Sequence, residues 1–295
     1  LFAYDLLADA AATTPTALST GVNQGSLFLR QQGTNSYDAP VLLHGANTTA
    51  SSIYDAAAGK FINGPLPTGA LTGGSTSIFM PGSGSNGAFF IVNGSPTPST
   101  SVYFPGSNSF HGSRTPGRVP DIGVSSFRIP SGTWQGRTLI VGGNAITTTA
   151  VYDPLTHQIV PGPDYDVSIT PGTTSFAVPL TQGPNAGKVI VFQGATATYR
   201  VFDPATNAFF DPSGPWPGTT FTAKGLGATS FPINSTSYIL VMNGGANTLS
   251  QKIDQSTATP TVTAGPFIGC AVNGTPFNLA FANASTGEVK QLVYC

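Results

Sequence analysis

The chain has 295 residues, only 8% of them charged, and its charges nearly cancel at a net −1. That balance excludes a nucleic-acid binder, which needs a basic stripe to neutralise phosphates. Apolar residues reach 40%, which excludes disorder driven by charge, and no apolar run approaches the ~20 residues that span a bilayer. Gly and Pro number 36 and 25, a composition suited to many short strands joined by tight turns. The first residue is Leu1, so the chain is expected to be processed or a fragment, with any targeting segment already gone. A single glutamate, Glu288, and a Ser/Thr/Asn/Gly-rich composition point to an extracellular or cell-surface setting.

In chain order, Ala3-Tyr4-Asp5 comes first, then a segment around Leu27-Phe28, then an apolar run ending in glycine, Val41-Leu42-Leu43-His44-Gly45. About nine residues on comes Ile53-Tyr54-Asp55, followed by a segment around Phe61 closed by Gly64-Pro65. The pattern then repeats. The run-ending glycines fall at 45, 94, 143, 194 and 244, and the second element returns at Val102-Tyr103-Phe104, Val151-Tyr152-Asp153, Val201-Phe202-Asp203 and Lys252-Ile253-Asp254. Two landmarks keep one period of about 49 residues, the mark of a repeat architecture. Each unit predicts four strands: a before the run, b the run itself, c ending in Tyr-Asp, and d outermost. Strand b is nearly all apolar, as a strand covered on both faces should be.

The ends complete the count. Gly287-Glu288-Val289-Lys290-Gln291-Leu292-Val293-Tyr294 matches Gly187-Lys188-Val189-Ile190-Val191, so the last unit is expected to finish on the strand that opens the chain. The expected fold is all-β: one domain over residues 1–295, a six-bladed β-propeller of four-stranded antiparallel blades. Pairing of the N- and C-terminal strands in one blade would remove the open edges that invite aggregation. Between c and d, Asp153-Pro154-Leu155-Thr156-His157 and Asp203-Pro204-Ala205-Thr206-Asn207 place a capping carboxylate, a proline and a residue tolerant of a left-handed backbone. The corresponding fifth residues are Asp9, Gly59, Asn108, His157, Asn207 and Ala258. Gly-Pro pairs at Gly162-Pro163, Gly214-Pro215 and Gly265-Pro266 are expected to end strand d in the later units.

This pattern of apolar run, Tyr-Asp-Pro-x-Thr-x, apolar outer strand and Gly-Pro resembles the kelch-type propellers, particularly the secreted bacterial and fungal ones. It spans essentially the whole chain and is strongest from Gly136 to Pro215. It departs from them in keeping a double glycine only at Gly142-Gly143 and, shifted, Gly244-Gly245, and in lacking the outer-strand tryptophan. The copper-radical oxidases of related fold use a cysteine-linked tyrosine, another tyrosine and two histidines, and no such set matches here. Propellers host enzymes, lectins, adaptors and structural proteins, so function has to come from the site.

Gly82-Ser83-Gly84-Ser85-Asn86-Gly87 spells a dinucleotide fingerprint but leads into Ala88-Phe89-Phe90-Ile91, a strand, so it reads as a turn. Asp5, Asp55, Asp153, Asp203 and Asp254 fall in different units and read as turn caps, not an acid ring or a calcium set. His44, His111 and His157 show no metal-ligand spacing, so neither a metal nor another cofactor is expected. Asp164 and Asp166 are the only close carboxylate pair a glycosidase reading has to offer, and on a loop they read as solvated.

Binding is easier to place, because the b–c and d–a loops share one face. The expected binding residues are Tyr199, Arg200, Arg114, Arg118, Trp216 and Tyr165, with Asp121 and Lys224 on the same loops. Sequons stand at Asn47, Asn93, Asn234, Asn273 and Asn283 as glycosylation candidates. The reading that follows is a non-catalytic extracellular propeller for binding, adhesion or assembly, with a protein or glycan partner on that loop face, or further copies of itself, and no nucleic acid. The alternatives are a lectin-like glycan binder and a secreted hydrolase or oxidase.

Cys270 precedes the last strand a and Cys295 follows the last strand b. Antiparallel neighbours bring these ends together, which predicts a disulfide closing a loop of about 25 residues, worth ~2–4 kcal/mol if unstrained, with free thiols the alternative. Unreduced, denatured protein is expected to take up no iodoacetamide by intact mass, whereas adducts on both cysteines would remove the bridge.

Overall fold

The computed structural model describes residues 2–5, 10–12, 27–29, 41–44, 48–55, 60–71, 75–80, 87–92, 100–112, 125–142, 147–156, 158–165, 175–193, 198–212, 229–233, 237–242, 249–266, 278–282 and 289–293. These form an all-β propeller of four-stranded antiparallel blades; the only helical element among them is a single 3-10 turn, Pro105–Ser107.

The strands assemble into six four-stranded sheets. The closing sheet joins β1 (Phe2–Asp5) and β2 (Ala10–Ala12) to β23 (Asn278–Ala282) and β24 (Val289–Val293). Sheet two holds β3 (Leu27–Leu29), β4 (Val41–Leu43), β5 (Ser51–Asp55) and β6 (Lys60–Asn63). Sheet three holds β7 (Thr76–Met80), β8 (Ala88–Val92), β9 (Thr100–Phe104) and β10 (Ser109–Gly112). Sheet four is β11 (Ser125–Arg128), β12 (Thr138–Val141), β13 (Thr149–Asp153) and β14 (Gln158–Pro161). Sheet five is β15 (Ser175–Pro179), β16 (Val189–Gln193), β17 (Tyr199–Asp203) and β18 (Ala208–Phe210). Sheet six is β19 (Thr229–Pro232), β20 (Tyr238–Met242), β21 (Ser250–Asp254) and β22 (Thr261–Ala264).

The two ends of the chain meet as the sequence predicts: β1 lies antiparallel to β24, with Phe2 opposite Val293 and Asp5 opposite Lys290. Consecutive sheets meet through their first strands, β3 with β7, β7 with β11, β11 with β15, and β19 with β23. First strands therefore stand at the centre and fourth strands at the rim.

Burial follows from that arrangement. β12 is buried at every position, while β14 and β22 each bury none of their four residues fully. The core consists of apolar layers between neighbouring sheets. Phe127, Leu139 and Val151 of sheet four join Val189, Val191 and Phe202 of sheet five; Ile190 and Val201 of sheet five join Ile239, Val241 and Ile253 of sheet six. Each fully buried large side chain contributes ~1.5–3 kcal/mol.

Polar contacts lock one sheet to the next. The hairpin after β15 docks on the β21–β22 turn, where the Thr181 N–H donates to Gln255 Oε1 at 2.7 Å and Asn185 Nδ2 to the Ala258 carbonyl at 2.7 Å. One sheet earlier, Asn207 Nδ2 donates to Thr133 Oγ1 at 2.7 Å. Close approach at these docking points requires glycine. Gly132 and Gly183 have φ of +79° and +72°, and a Cβ there would lie 2.0 Å from the Pro204 oxygen and 1.7 Å from the Gln255 oxygen.

The c–d turns behave as their sequence predicts in sheets four and five. Asp153 Oδ1 accepts from the Leu155 N–H and Asp203 Oδ1 from the Ala205 N–H, both at 2.9 Å. Asn108 and Asn207 take the left-handed backbone, with φ of 48° and 52°. Ala258 does not correspond to them: it belongs to a longer turn described below.

Gly183→Ala should cost at least ~2 kcal/mol through φ strain and the clash with Gln255, lowering Tm by roughly 4 °C or more. Gly112→Ala, where a Cβ meets nothing within 4 Å, should leave Tm unchanged in the same differential scanning experiment.

Candidate functional site

In sheets two, four and six the third strand opens with a hydroxyl residue, Ser51, Thr149 or Ser250. Each side chain donates to the carbonyl of Pro65, Pro163 or Pro266 at 2.5–2.6 Å. The glycine before each proline gives its N–H to the same residue's carbonyl at 2.9 Å. A Cβ on Gly64, Gly162 or Gly265 would lie 2.3 Å from the hydroxyl oxygen. The Gly-Pro signature is thus a hydroxyl lock on the end of the rim strand.

Sheet five is built without this lock. β17 opens with Tyr199, and continuing the β17–β18 register by two residues puts Pro212 opposite it. Proline lacks the N–H that glycine supplies, and tyrosine is too large for the slot. The Gly214-Pro215 pair expected to end this outer strand lies outside the described residues.

Sheet six departs as well. Four residues separate the paired strand ends in the turns 55–60, 104–109, 153–158 and 203–208, whereas six separate Asp254 from Thr261. The lengthened turn is held by Asp254, whose Oδ1 accepts from the Ser256 N–H and from Ser237 Oγ at 2.9 Å. These hydrogen bonds hold the Asp254 carboxyl below its ordinary pKa.

Both departures face the same space. A groove of about 210 Å³ lies between sheets five and six, floored by Leu180, Ile190 and Val201. Tyr199, Phe210 and Pro212 form one wall, and Ala258, Thr259 and Pro260 of the lengthened turn form the other, with Asn185 between them. Phe210 is 40% exposed, and the Lys188 ammonium lies 5.3 Å from its ring centroid. Burial, and then the Asp211 charge, raises the pKa of Tyr199, so its hydroxyl stays protonated as a donor.

One sheet earlier the equivalent space is filled. The hairpins 129–137 and 180–188 share one hydrogen-bond pattern, Gly136 N–H to the Ile129 carbonyl and Gly187 N–H to the Leu180 carbonyl among them. Trp134 therefore occupies the position of Asn185, and it packs against the cluster containing Ile129, Leu139 and Val151. Asparagine in place of tryptophan leaves the groove open.

Of the expected binding residues that are described, Tyr199 lines the groove. Tyr165 is corrected: it is 1% exposed, donates its hydroxyl to the Val191 carbonyl at 3.0 Å, and packs edge-on to Phe209. An aromatic that follows a Gly-Pro-Asp turn, as Tyr165 does, looks the same in sequence whether its ring faces solvent or the layer between sheets. Arg200 is also corrected: at 9% exposure it pairs with Asp211 at 3.3 Å and donates to the Tyr199 carbonyl at 3.0 Å, a strut across the strands. Phe210, Pro212, Asn185 and the 258–260 turn escaped sequence reading. The extra two residues of that turn were the available signal.

Arg114, Arg118, Asp121, Asp166, Trp216, Lys224, His157, Cys270, Cys295 and the sequon residues Asn47, Asn93, Asn234, Asn273 and Asn283 lie outside the described residues. Among the described residues no group of three or more His, Cys, Asp or Glu stands close enough to hold a metal ion, and no helix is long and apolar enough to cross a membrane. His44 is buried, with Nε2 2.7 Å from Ser52 Oγ.

No family model matches the chain, and no curated protein matches it. Among solved structures, an auxiliary nutrient binding protein from Bacteroides thetaiotaomicron VPI-5482 is similar in fold. Its TM-score is 0.54 at 10% identity, over 93% of this chain and 69% of that one. The structure of YjhT aligns over 82% of both chains at 11% identity, with a TM-score of 0.49.

Burial lowers the His44 pKa from 6.5. As pH falls below about 6.5 the unfolded chain takes up a proton that the folded chain refuses, so stability should decline with acidification and hold steady above that value. His44→Gln should flatten this slope in Tm measured from pH 7.5 to pH 5, relative to the wild-type chain.

Proposed function

We propose that this chain is a six-bladed kelch-type propeller acting outside the cell as a non-catalytic binding module, in adhesion or surface assembly, with its ligand in the groove between sheets five and six. The observation that carries the reading is the convergence of two breaks in the repeat on that groove. Where a repeat departs from its own pattern at two places that face one space, that space is the candidate for function. Here Tyr199 and Pro212 replace the hydroxyl lock, and the neighbouring turn gains two residues. Apolar walls with a few polar groups between them are the usual make-up of a ligand pocket. Shared fold with a nutrient binding protein supports a binding role by analogy alone. The lectin-like reading gains from the same groove, which sets aromatic and polar groups together between two blades. The partner is a glycan or a protein surface, with a soluble, secreted chain presenting the groove. The disulfide between Cys270 and Cys295 and sugars on the sequons are part of this proposal.

Purified protein on a glycan array, with metal analysis and assays for released sugar and peroxide, tests it. Saturable binding with no turnover is expected. Turnover of a bound glycan, or metal-dependent peroxide release, would replace this reading with the hydrolase or oxidase one.

A further inference from the structure

We infer that the groove between sheets five and six takes a single neutral pyranose unit of an extracellular glycan. This rests on the binding reading above and specifies its ligand.

Size comes first. At about 210 Å³ the groove falls below the ~300–1,000 Å³ of pockets that enclose drug-sized molecules, a volume suited to one ring at a time. Charge comes second. No lining residue carries a charge, and the charged groups beside it are matched: Arg200 with Asp211 at 3.3 Å and Lys188 with Asp203 at 3.7 Å. A sialylated, sulfated or uronic unit would bring a carboxylate or sulfate to a wall that offers it no unmatched cation, at a desolvation cost.

The chemistry of the walls comes third. A pyranose has an apolar C–H face and an equatorial belt of hydroxyls, and needs a flat apolar surface beside neutral donors and acceptors. Phe210 offers an exposed ring, and the prolines at 212 and 260 add flat apolar surface. Tyr199 lines one wall, Thr259 brings a hydroxyl, and Asn185 the amide oxygen that its Nδ2 bond to Ala258 does not use. That bond also fixes the lengthened turn against sheet five, so the pocket is preformed and little ordering entropy opposes binding.

The natural comparison inside the ring is Trp134, which fills the matching space between sheets four and five. Asn185→Trp copies that plug. The test uses the full chain and calorimetry at millimolar concentrations with neutral gluco-, galacto- and manno-trisaccharides, a sialylated and a sulfated trisaccharide, and decaproline. At least one neutral trisaccharide is expected to bind, to weaken tenfold or more in Asn185→Trp and in Phe210→Ala, and to be unaffected in Leu155→Ala, a change on a turn remote from the groove. Phe210 is exposed enough for its truncation to leave folding intact, so that variant decides if Asn185→Trp fails to fold. Neutral-sugar binding that survives both substitutions overturns the inference alone and leaves the binding reading standing. Groove-dependent binding of only the charged sugars, or only decaproline, overturns the ligand class. Absence of binding by every probe overturns the inference, and with the glycan array also blank it removes the binding reading too.

Discussion

Everything in this structure depends on the antiparallel pairing of β1 with β24. Four residues from the start of the chain lie beside four from near its end, and through them the closing sheet gains its full four strands. A strand order of β2-β1-β24-β23 cannot form until both ends are present, so this blade is assembled from the most distant parts of the sequence. Contacts of such separation carry the largest loop-closure cost. The other five sheets are each made from one continuous stretch.

Within that frame two kinds of contact divide the labour. Apolar layers between sheets supply bulk stabilisation without direction. The hairpin-to-turn clamps supply register: Asn207 to Thr133, and Gln255 and Asn185 to their partners, fix how far one sheet slides against the next. Glycine at 132 and 183 is dictated by these clamps, because only a residue without Cβ can bring backbone that close. The hydroxyl lock at Ser51, Thr149 and Ser250 then ties down the rim strand, where little burial is available. Sheet five lacks that lock and uses the Arg200–Asp211 pair across the same two strands.

The fold was legible because its signals are periodic. Strand b is mostly apolar in the five units made from one continuous stretch, for the same reason each time, and Asp153 and Asn207 occupy turn positions whose chemistry is local. The candidate site was legible only in part, because it arises from differences between units. Tyr199 could be read as a binding residue on its chemistry. Tyr165 has the same chemistry and faces inward, a distinction set by packing against Phe209 that no local pattern records. Arg200 looked like a surface cation and is a strut, since its partner Asp211 is assigned by cross-strand register and not by sequence spacing. Asn185 has meaning only against Trp134, which holds the same position in the equivalent hairpin 129–137.

The lengthened 254–261 turn sits at the rim, anchored at its base by Asp254 and braced from the neighbouring blade by Asn185 and by the Thr181 and Gln182 N–H groups that donate to Gln255. Side-chain changes at 258–260 would reshape the mouth of the groove, while the bonds through Asp254, Gln255 and the Ala258 carbonyl kept the turn in place. Descendants of such a gene can therefore explore new specificities by small changes in one rim loop, with the scaffold exempt from the trade between novelty and foldedness.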